Sequence, residues 1–276
     1  MSSSIKEYRP CESLRPFVEL FWEGSFNENS TELISMKVIP NGCVELIIHL
    51  NEWHCDLQYT LGWSQSPEYM IVGLHTKPYL VQFANSVRVF GIRFKPDGFH
   101  NIFGIPASVI KNSIEDFSQV MGVKFRDFSE RIKDKKCFKE MITCTENQLL
   151  KNLEKKIINS NYVSLAAEVI RQTKSIKMKD LPNQVYISMR QLDRQFKEQI
   201  GISPKHYMRI TRLNEVRRLL NNNYGMDLTT VAYHCGYSDQ AHFINEFKSF
   251  TGELPNIFIK GGNCFISTPG LSHYDL

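Results

Sequence analysis

The chain is poor in the features that mark several protein classes. Its seven cysteines (Cys11, Cys43, Cys55, Cys137, Cys144, Cys235 and Cys264) are odd in number, scattered and never spaced as C-x-x-C. That pattern argues against a disulfide framework and against a structural zinc site. Reduced and mostly buried thiols are the expectation. Apolar runs are short: residues 69–74 form one of the longest, far below the roughly 20 residues a membrane helix needs. Residues 1–10 hold no apolar stretch of the secretory kind, so the expected setting is cytoplasmic. A G-x-S-x-G elbow, a P-loop, an H-E-x-x-H motif and an H-x-H pair are all missing. No enzyme activity and no cofactor are therefore expected. Net charge is scarce too, since 33 Lys+Arg against 29 Asp+Glu leave only +4 over 276 residues. What is present is 42% apolar residues, enough for real cores, in a length that suggests two domains.

The small charge is unevenly placed. Residues 1–123 carry 9 basic and 13 acidic side chains, whereas 124–276 carry 24 and 16. The stretch 171–218 alone has 12 basic and 4 acidic residues, and its excess of 8 equals that of the whole second part. Residues 219–276 swing back, with 2 basic and 5 acidic. A basic stretch inside a near-neutral chain is the footprint of a polyanion partner, although a solvated helix face gives the same count.

The first part reads as β-rich. Residues 17–26, 44–50, 69–74, 79–83 and 87–95 are dense in aromatic and β-branched types. Turn chemistry bounds them at Pro40-Asn41-Gly42, Ser66-Pro67 and Pro96-Asp97-Gly98. Alternation in 87–94 is imperfect, and a bulge at Gly91 restores it. Short strands of this kind suggest a small barrel or a sandwich. From about residue 99 the pattern turns helical. Ser113 with Asp116 reads as one helix start, and Thr145 with Gln148 as a capping box. Leu149, Leu153 and Ile157, flanked by Leu150 and Ile158, then form one apolar stripe. This helix either packs within the chain, the commoner outcome, or pairs with a second copy. The expected organisation is α+β: a β-rich first domain with helices over 1–140, a connecting helix over 141–160, an all-α domain over 161–259 and a tail over 260–276.

The second part contains a duplication. Residues 191–204 align with 242–255 at an offset of 51, sharing Phe196/Phe247, Lys197/Lys248, Gly201/Gly252 and Pro204/Pro255. Upstream the offset is 50, through Leu181/Val231 and Ser188/Ser238, so the second unit has one extra residue at the start of its last helix. Each unit reads helix, tight turn, helix. Asp227 caps a helix through Val231, Ala232 and Cys235, Gly236-Tyr237 turns, Ser238 caps the next helix and Gly252 ends it. In the first unit Ser188 and Gln191 form a capping box and Gly201 terminates. Ser203-Pro204 then opens a long helix to about Leu220. This is the helix-turn-helix plan.

A 100° step per residue assigns the faces. In the first unit Met189, Leu192, Phe196 and Ile200 form the core stripe, while Arg190, Gln191 and Arg194 point outward. In the second, Phe243, Ile244, Phe247 and Phe250 are core, and Ala241, His242, Asn245 and Lys248 face out. The N-terminal residues of a second helix meet base edges in such units. Arg suits guanine, Asn or Gln suits adenine, and Ala suits the thymine methyl. For His242, capping or a phosphate contact is as good a reading as base contact. The linking helix, about 17 residues or roughly 26 Å, brings the two reading helices near the ~34 Å between successive major-groove faces.

The segment Val231-Ala-Tyr-His-Cys-Gly-Tyr-Ser-Asp-Gln-Ala-His-Phe-Ile-Asn-Glu-Phe-Lys-Ser-Phe-Thr-Gly-Glu-Leu-Pro255 closely resembles the signature of AraC/XylS-type transcription regulators. The resemblance covers about 161–258. It implies a sequence-specific DNA-binding regulator, with activation as the expected mode, whose two units occupy consecutive major grooves and which recruits or contacts RNA polymerase. Carried over by position, the base-facing residues are Arg190, Asp193 and Arg194 in the first unit and Gln240, Ala241 and Asn245 in the second. Asp193 either accepts from a cytosine amine or orients Arg190 or Arg194. The chain departs from the family at Pro182, where alanine is usual, so that helix is expected to start late with Asp180 as cap. It departs again at Phe258-Ile259, where a Tyr-Arg pair is common.

The first domain more weakly resembles one fused to some of these regulators, through Leu14-Arg-Pro-Phe-Val18, Trp22, Ile39-Pro-Asn-Gly42, Val72-Gly73 and Gly91-Ile-Arg-Phe-Lys-Pro96. By that analogy it senses a small-molecule effector or makes a homodimer. The alternative is a metal-binding or catalytic β-domain, with Cys43, Glu45, His49, His54, Cys55 and His75 as candidate ligands. Glu45 and His49 share a strand face by parity. Trp22, Trp53 and Trp63 are read as core ahead of an aromatic cage.

Overall fold

The computed structural model describes residues 2–27, 35–59, 62–83, 86–154, 162–173, 176–222 and 227–260. The first domain is built on ten strands among those residues: β1 (Ser2–Tyr8), β2 (Val18–Asn27), β3 (Ser35–Val38), β4 (Glu45–His49), β5 (Asp56–Tyr59), β6 (Gly62–Gln65), β7 (Tyr69–Val72), β8 (Tyr79–Gln82), β9 (Val87–Phe94) and β10 (Ile114–Asp116). They form a six-stranded sheet in the order β1-β2-β9-β4-β7-β10 and a four-stranded sheet in the order β3-β8-β5-β6, with every pairing antiparallel. Of the two architectures the sequence left open, this is the sandwich, since the sheets do not close on each other.

One face of the large sheet packs on the small one through Leu20, Trp22, Met36, Leu57, Met70, Val81, Phe83 and Val89. The other face, with Phe21, Leu46, Ile48, Ile71, Phe90 and Ile92, is covered by helices that bring Phe99, Phe117, Phe128 and Leu149. Coverage on both sides explains why β9 shows no clean alternation: every one of its residues except Arg88 is buried. The bulge expected at Gly91 is absent. Gly91 pairs in register with Trp22 on one side and Ile47 on the other, and the shift lies at Val18/Leu20 instead. Glycine is required at 91 because the indole of Trp22 lies over it, and a Cβ would come within 2.0 Å of that ring.

Four helices complete this domain: α1 (Gly98–Phe103), α2 (Phe117–Met121), α3 (Val123–Lys133) and α4 (Phe138–Glu154). Asp116, not Ser113, caps α2, accepting from the Ser118 N–H. The capping box expected at Thr145 also fails. Helix α4 already begins at Phe138, and Thr145 is buried in mid-helix with its hydroxyl bonded back to Met141 O at 2.8 Å. Leu149 and Leu153 pack into the first domain's core, Tyr8 stacks near Phe138, and the Cys11 N–H reaches Glu146. Helix α4 is therefore integral to the first domain for its whole described length. Ile157 and Ile158 of the apolar stripe lie outside the described residues.

The rest is helical: α5 (Tyr162–Gln172), α6 (Leu181–Val185), α7 (Met189–Gln199), α8 (Pro204–Asn222), α9 (Leu228–His234), α10 (Gln240–Thr251) and α11 (Pro255–Lys260). Leu192, Phe196, Leu213, Val216, Val231, Phe243 and Phe247 share one core, which Ile39 and Leu74 of the first domain extend. The domains touch at several polar points. Lys37 pairs with Glu253 at 2.5 Å and Arg171 with Glu19 at 3.4 Å, Asn214 Nδ2 donates to Asn41 O at 2.8 Å, and Ser164 bonds Asp97. The turn after α7 lies against residues 107–110, since a Cβ on Gly201 would stand 3.1 Å from Ala107 O. Among the described residues no helix is long and apolar enough to cross a membrane.

Candidate nucleic-acid interface

Each reading helix is started by a side-chain cap and turned by a left-handed residue. In the first unit, Asp180 precedes α6 without a side-chain bond of its own, and Pro182 sits in the first turn, where its missing N–H costs nothing. The chain then reverses through Tyr186 at φ 57°, and Ser188 Oγ accepts from the Gln191 N–H at 3.2 Å to open α7. The second unit holds Gly236 at the matching turn position, with φ 73°. Tyr186 thus adopts a conformation natural to glycine, at a cost of about 1–2 kcal/mol, while its side chain stays 91% exposed. In the second unit Asp227 accepts from Thr229 and Thr230 to start α9. The cap of α10 is Asp239, accepting from the His242 N–H at 2.7 Å, not Ser238 as the alignment suggested. The extra residue of the second unit moves the cap by one position, and Ser238 supports it by donating to Asp239 Oδ2.

The outward residues of α7 are exposed together. Ser188, Arg190, Gln191, Asp193, Arg194 and Lys197 line one open, shallow concavity. Asp193 does not orient either arginine there; its carboxylate pairs with Lys197 one turn on, at 2.6 Å. Leu192, Phe196 and Ile200 are buried as expected, but Met189 is 37% exposed, because the first turn of α7 projects beyond the core. On α10, Gln240, Ala241, Asn245 and Lys248 are exposed, Phe243, Phe247 and Phe250 are buried, and Ile244 is half-buried. Gln240 Oε1 accepts from Thr229 Oγ1 at 3.4 Å, a link back to α9. His242 is held by its own element: its Nδ1 lies 3.1 Å from Ser238 Oγ, and its Nε2 is 4.0 Å from Glu246. The His242 backbone N–H, not its imidazole, is what the Asp239 cap takes.

Residues that sequence reasoning passed over set the spacing of the two units. Glu246, buried on α10, takes Arg209 of α8 at 2.7 Å and Arg212 at 3.9 Å. Arg209 lies over the Phe250 ring and Arg212 over Tyr237. No periodicity marks Glu246 as a fastener, because its partners are more than 30 residues away. The basic count of 171–218 consequently overstates the charge offered to a polyanion. Arg171, Arg209, Arg212 and Arg218 are in internal ion pairs, as is the exposed Lys197 with Asp193, and Arg217 is buried, whereas Lys177, Lys179, Arg190, Arg194 and Lys205 are exposed.

The six candidate metal ligands do not come together as one set. Glu45 is bound by Arg93, and Cys43 faces Glu19 at 3.4 Å. His49 stacks on His54 at 4.5 Å, with Cys55 Sγ 3.9 Å and Ser66 Oγ 3.4 Å from its Nε2. Burial pulls His49 down to about 4 and pushes the Cys55 thiol up to about 11, so neither is poised as a base or a thiolate. His75 packs instead on Tyr79. Among the described residues no cluster of three or more His, Cys, Asp or Glu is placed to hold a metal ion. Between the sheets lies an apolar cavity of about 70 Å³, lined by Trp22, Met70, Val81, Phe83 and Val89, with Glu45 and Tyr79 at its polar edge. Trp22 is core, but Trp53 and Trp63 are exposed, contrary to expectation.

Comparison with known proteins separates the same two parts. Residues 6–116 match a family described as a domain of unknown function, DUF6597, and residues 181–261 match a helix-turn-helix domain. The HTH-type transcriptional activator RhaS of Escherichia coli O157:H7 is 36% identical over 84 residues, which are 30% of this chain and 30% of that protein. RhaS of strain E24377A is 35% identical over 83 residues, with the same coverage. The chain thus spans about 30% of the length of these curated relatives. Among solved structures, ToxT from Vibrio cholerae aligns with 87% of this chain and 98% of its own at 9% identity and a TM-score of 0.49. A probable AraC family transcriptional regulator from Rhodopseudomonas palustris CGA009 aligns with 37% of this chain and 97% of its own at 27% identity and a TM-score of 0.34. Residues 181–261 are thus similar to a helix-turn-helix domain, and residues 6–116 before them to the DUF6597 domain.

Proposed function

We propose that the protein is a sequence-specific DNA-binding transcription regulator, an activator by kinship with RhaS, in which α7 and α10 enter successive major grooves. One observation carries this reading: two capped reading helices, joined by the 19-residue α8, both expose the outward residues of their N-terminal turns. At 1.5 Å per residue α8 measures about 28 Å, which with the lateral offset of each helix suits the ~34 Å groove repeat. Arg190, Gln191 and Arg194 read the first groove, with Asp193 beside Lys197 at its edge. Gln240, Ala241 and Asn245 read the second, where Lys248 meets phosphate and His242 holds the cap. RNA polymerase is the proposed downstream partner and the cytoplasm the setting. The first domain controls the reader, through an effector or a homodimer, by its contacts with the end of α7, with α8 and with Glu253.

Selection of bound sequences by the full chain, followed by footprinting, tests this. Two protected segments one helical turn apart are expected. Arg190→Ala or Arg194→Ala is expected to cost about 1–3 kcal/mol of specific binding and to relax preference in one segment only; an unchanged preference refutes the assignment. The salt dependence separates exposed from inward charge. Neutralising Lys179 or Lys205 is expected to lower the salt slope by about one unit each. Arg209→Gln leaves the slope unchanged and lowers stability instead, because its charge is spent on Glu246.

A further inference from the structure

Among the described residues one buried charge has no counter-charge. Helix α8 turns Tyr207, Ile210, Asn214 and Arg217 to a single side, and that side rests on the first domain. A Cβ on Gly42 would lie 3.2 Å from Tyr207 and 3.3 Å from Ile210, and Asn214 Nδ2 donates to Asn41 O at 2.8 Å. Arg217, next along the same side, is only 2% exposed, and neither its Nε nor its Nη1 has a hydrogen-bond partner. Burial, then repulsion from Arg93, pulls its guanidinium down to about 10.

The carboxylates nearby are engaged. Glu45 accepts from Arg93 Nε at 3.2 Å, Arg93 Nη2 at 2.9 Å, Trp22 Nε1 at 3.2 Å and Asn41 Nδ2 at 2.8 Å. Glu19 pairs with Arg171 and takes the Cys43 thiol. Arg93 thus takes Glu45 and Arg171 takes Glu19, and among the described residues no carboxylate is paired with Arg217. An unpaired buried charge is costly, and a bound anion is one way to meet that cost. One helical turn before it, Asn214 Oδ1 is buried and equally without a donor. Side chains three apart on a helix are about 5–6 Å apart at Cβ. The two side chains can therefore face one small molecule that carries a carboxylate and a hydroxyl donor.

We propose that Arg217 and Asn214 of α8, closed over by the Asn41–Gly42 turn, bind a small hydroxycarboxylate anion. The carboxylate takes the free guanidinium N–H groups of Arg217, and the hydroxyl donates to Asn214 Oδ1. The site lies where the first domain meets the helix joining the two reading units, so occupancy fixes α8 against the first domain. Only that consequence rests on the DNA-reading function; the anion site stands on the geometry.

Thermal unfolding of the full chain in a low-chloride buffer tests it, with lactate, acetate and neutral lactamide as probes at equal concentration. Lactate is expected to raise Tm most, acetate less, and lactamide not at all. Arg217→Met is expected to abolish the lactate shift and to raise the ligand-free Tm by about 2–4 °C, because an unpaired buried charge is replaced by an apolar chain. Asn214→Leu is expected to erase the advantage of lactate over acetate. A ligand-free Tm lowered by Arg217→Met, or lactate and lactamide shifts of equal size, overturns the proposal. Binding of Arg217→Met to the selected DNA, measured without added anion, is expected to match the parent. Its loss would count against the DNA-reading assignment and not against the anion site.

Discussion

Phe247→Ala is expected to destabilise the protein by about 3–5 kcal/mol and to erase the second protected segment on DNA while sparing the first. Phe247 is wholly buried on α10, with ring centroids 5.8 Å from Phe243 and 5.3 Å from Phe258. Truncation opens a void that α8 cannot close, because its Arg209 and Arg212 are fixed to Glu246 of α10. Phe196, the duplicate of Phe247 at an offset of 51, is also wholly buried. Phe196→Ala is expected to cost a similar amount and to erase the first segment instead. Denaturant unfolding reads the stability, and footprinting at saturating protein reads the segments. A loss of both segments in each variant would show that the two units do not read independently, and a cost below about 1 kcal/mol would mean that the core there collapses freely.

The second domain was legible because its determinants are local. Ser188 and Asp227 cap within three residues of their own positions, Gly252 ends α10 in the left-handed conformation, and each core stripe repeats on one helix. The misreadings there were equally local. Ser238 and Asp239 are both good caps, and only the actual entry angle of α10 selects the second. In the first domain the evidence is distant in sequence. Strand β1 reads Ser-Ser-Ser-Ile-Lys-Glu-Tyr and β6 is exposed throughout, so neither carries an apolar pattern; pairing with β2 and β5 makes them strands. Thr145 carries the signature of a helix start, but the turns before it, from Phe138, also pack on the sheet, and tertiary contact outweighed the local signal. Locally, Gly91 points to a bulge, because glycine in a strand often marks one. Its actual reason is Trp22, 69 positions earlier, whose indole needs the space.

That same space explains why Glu45→Leu is expected to cost about 3–5 kcal/mol, the range for breaking a buried ion pair from one side. The absent side chain at 91 lets the Trp22 indole lie over the strand, with its Nε1 reaching Glu45 at 3.2 Å. Arg93 joins from β9, with its side chain 3% exposed against 9% for Glu45. Removing the carboxylate strands the Arg93 guanidinium beside that of Arg217, and it deprives both Trp22 and Asn41 of an acceptor. The sign reverses for the pair taken together. Glu45→Leu with Arg93→Met removes both charges and fills the space, so most of the loss is expected to return. What remains is the cost of the unsatisfied Trp22 and Asn41 donors, about 1–3 kcal/mol each when left dry. A double-mutant cycle by denaturant unfolding measures the coupling directly. A coupling near zero would mean that water, not Glu45, neutralises Arg93, and the charge imbalance assigned to Arg217 would then lose its basis.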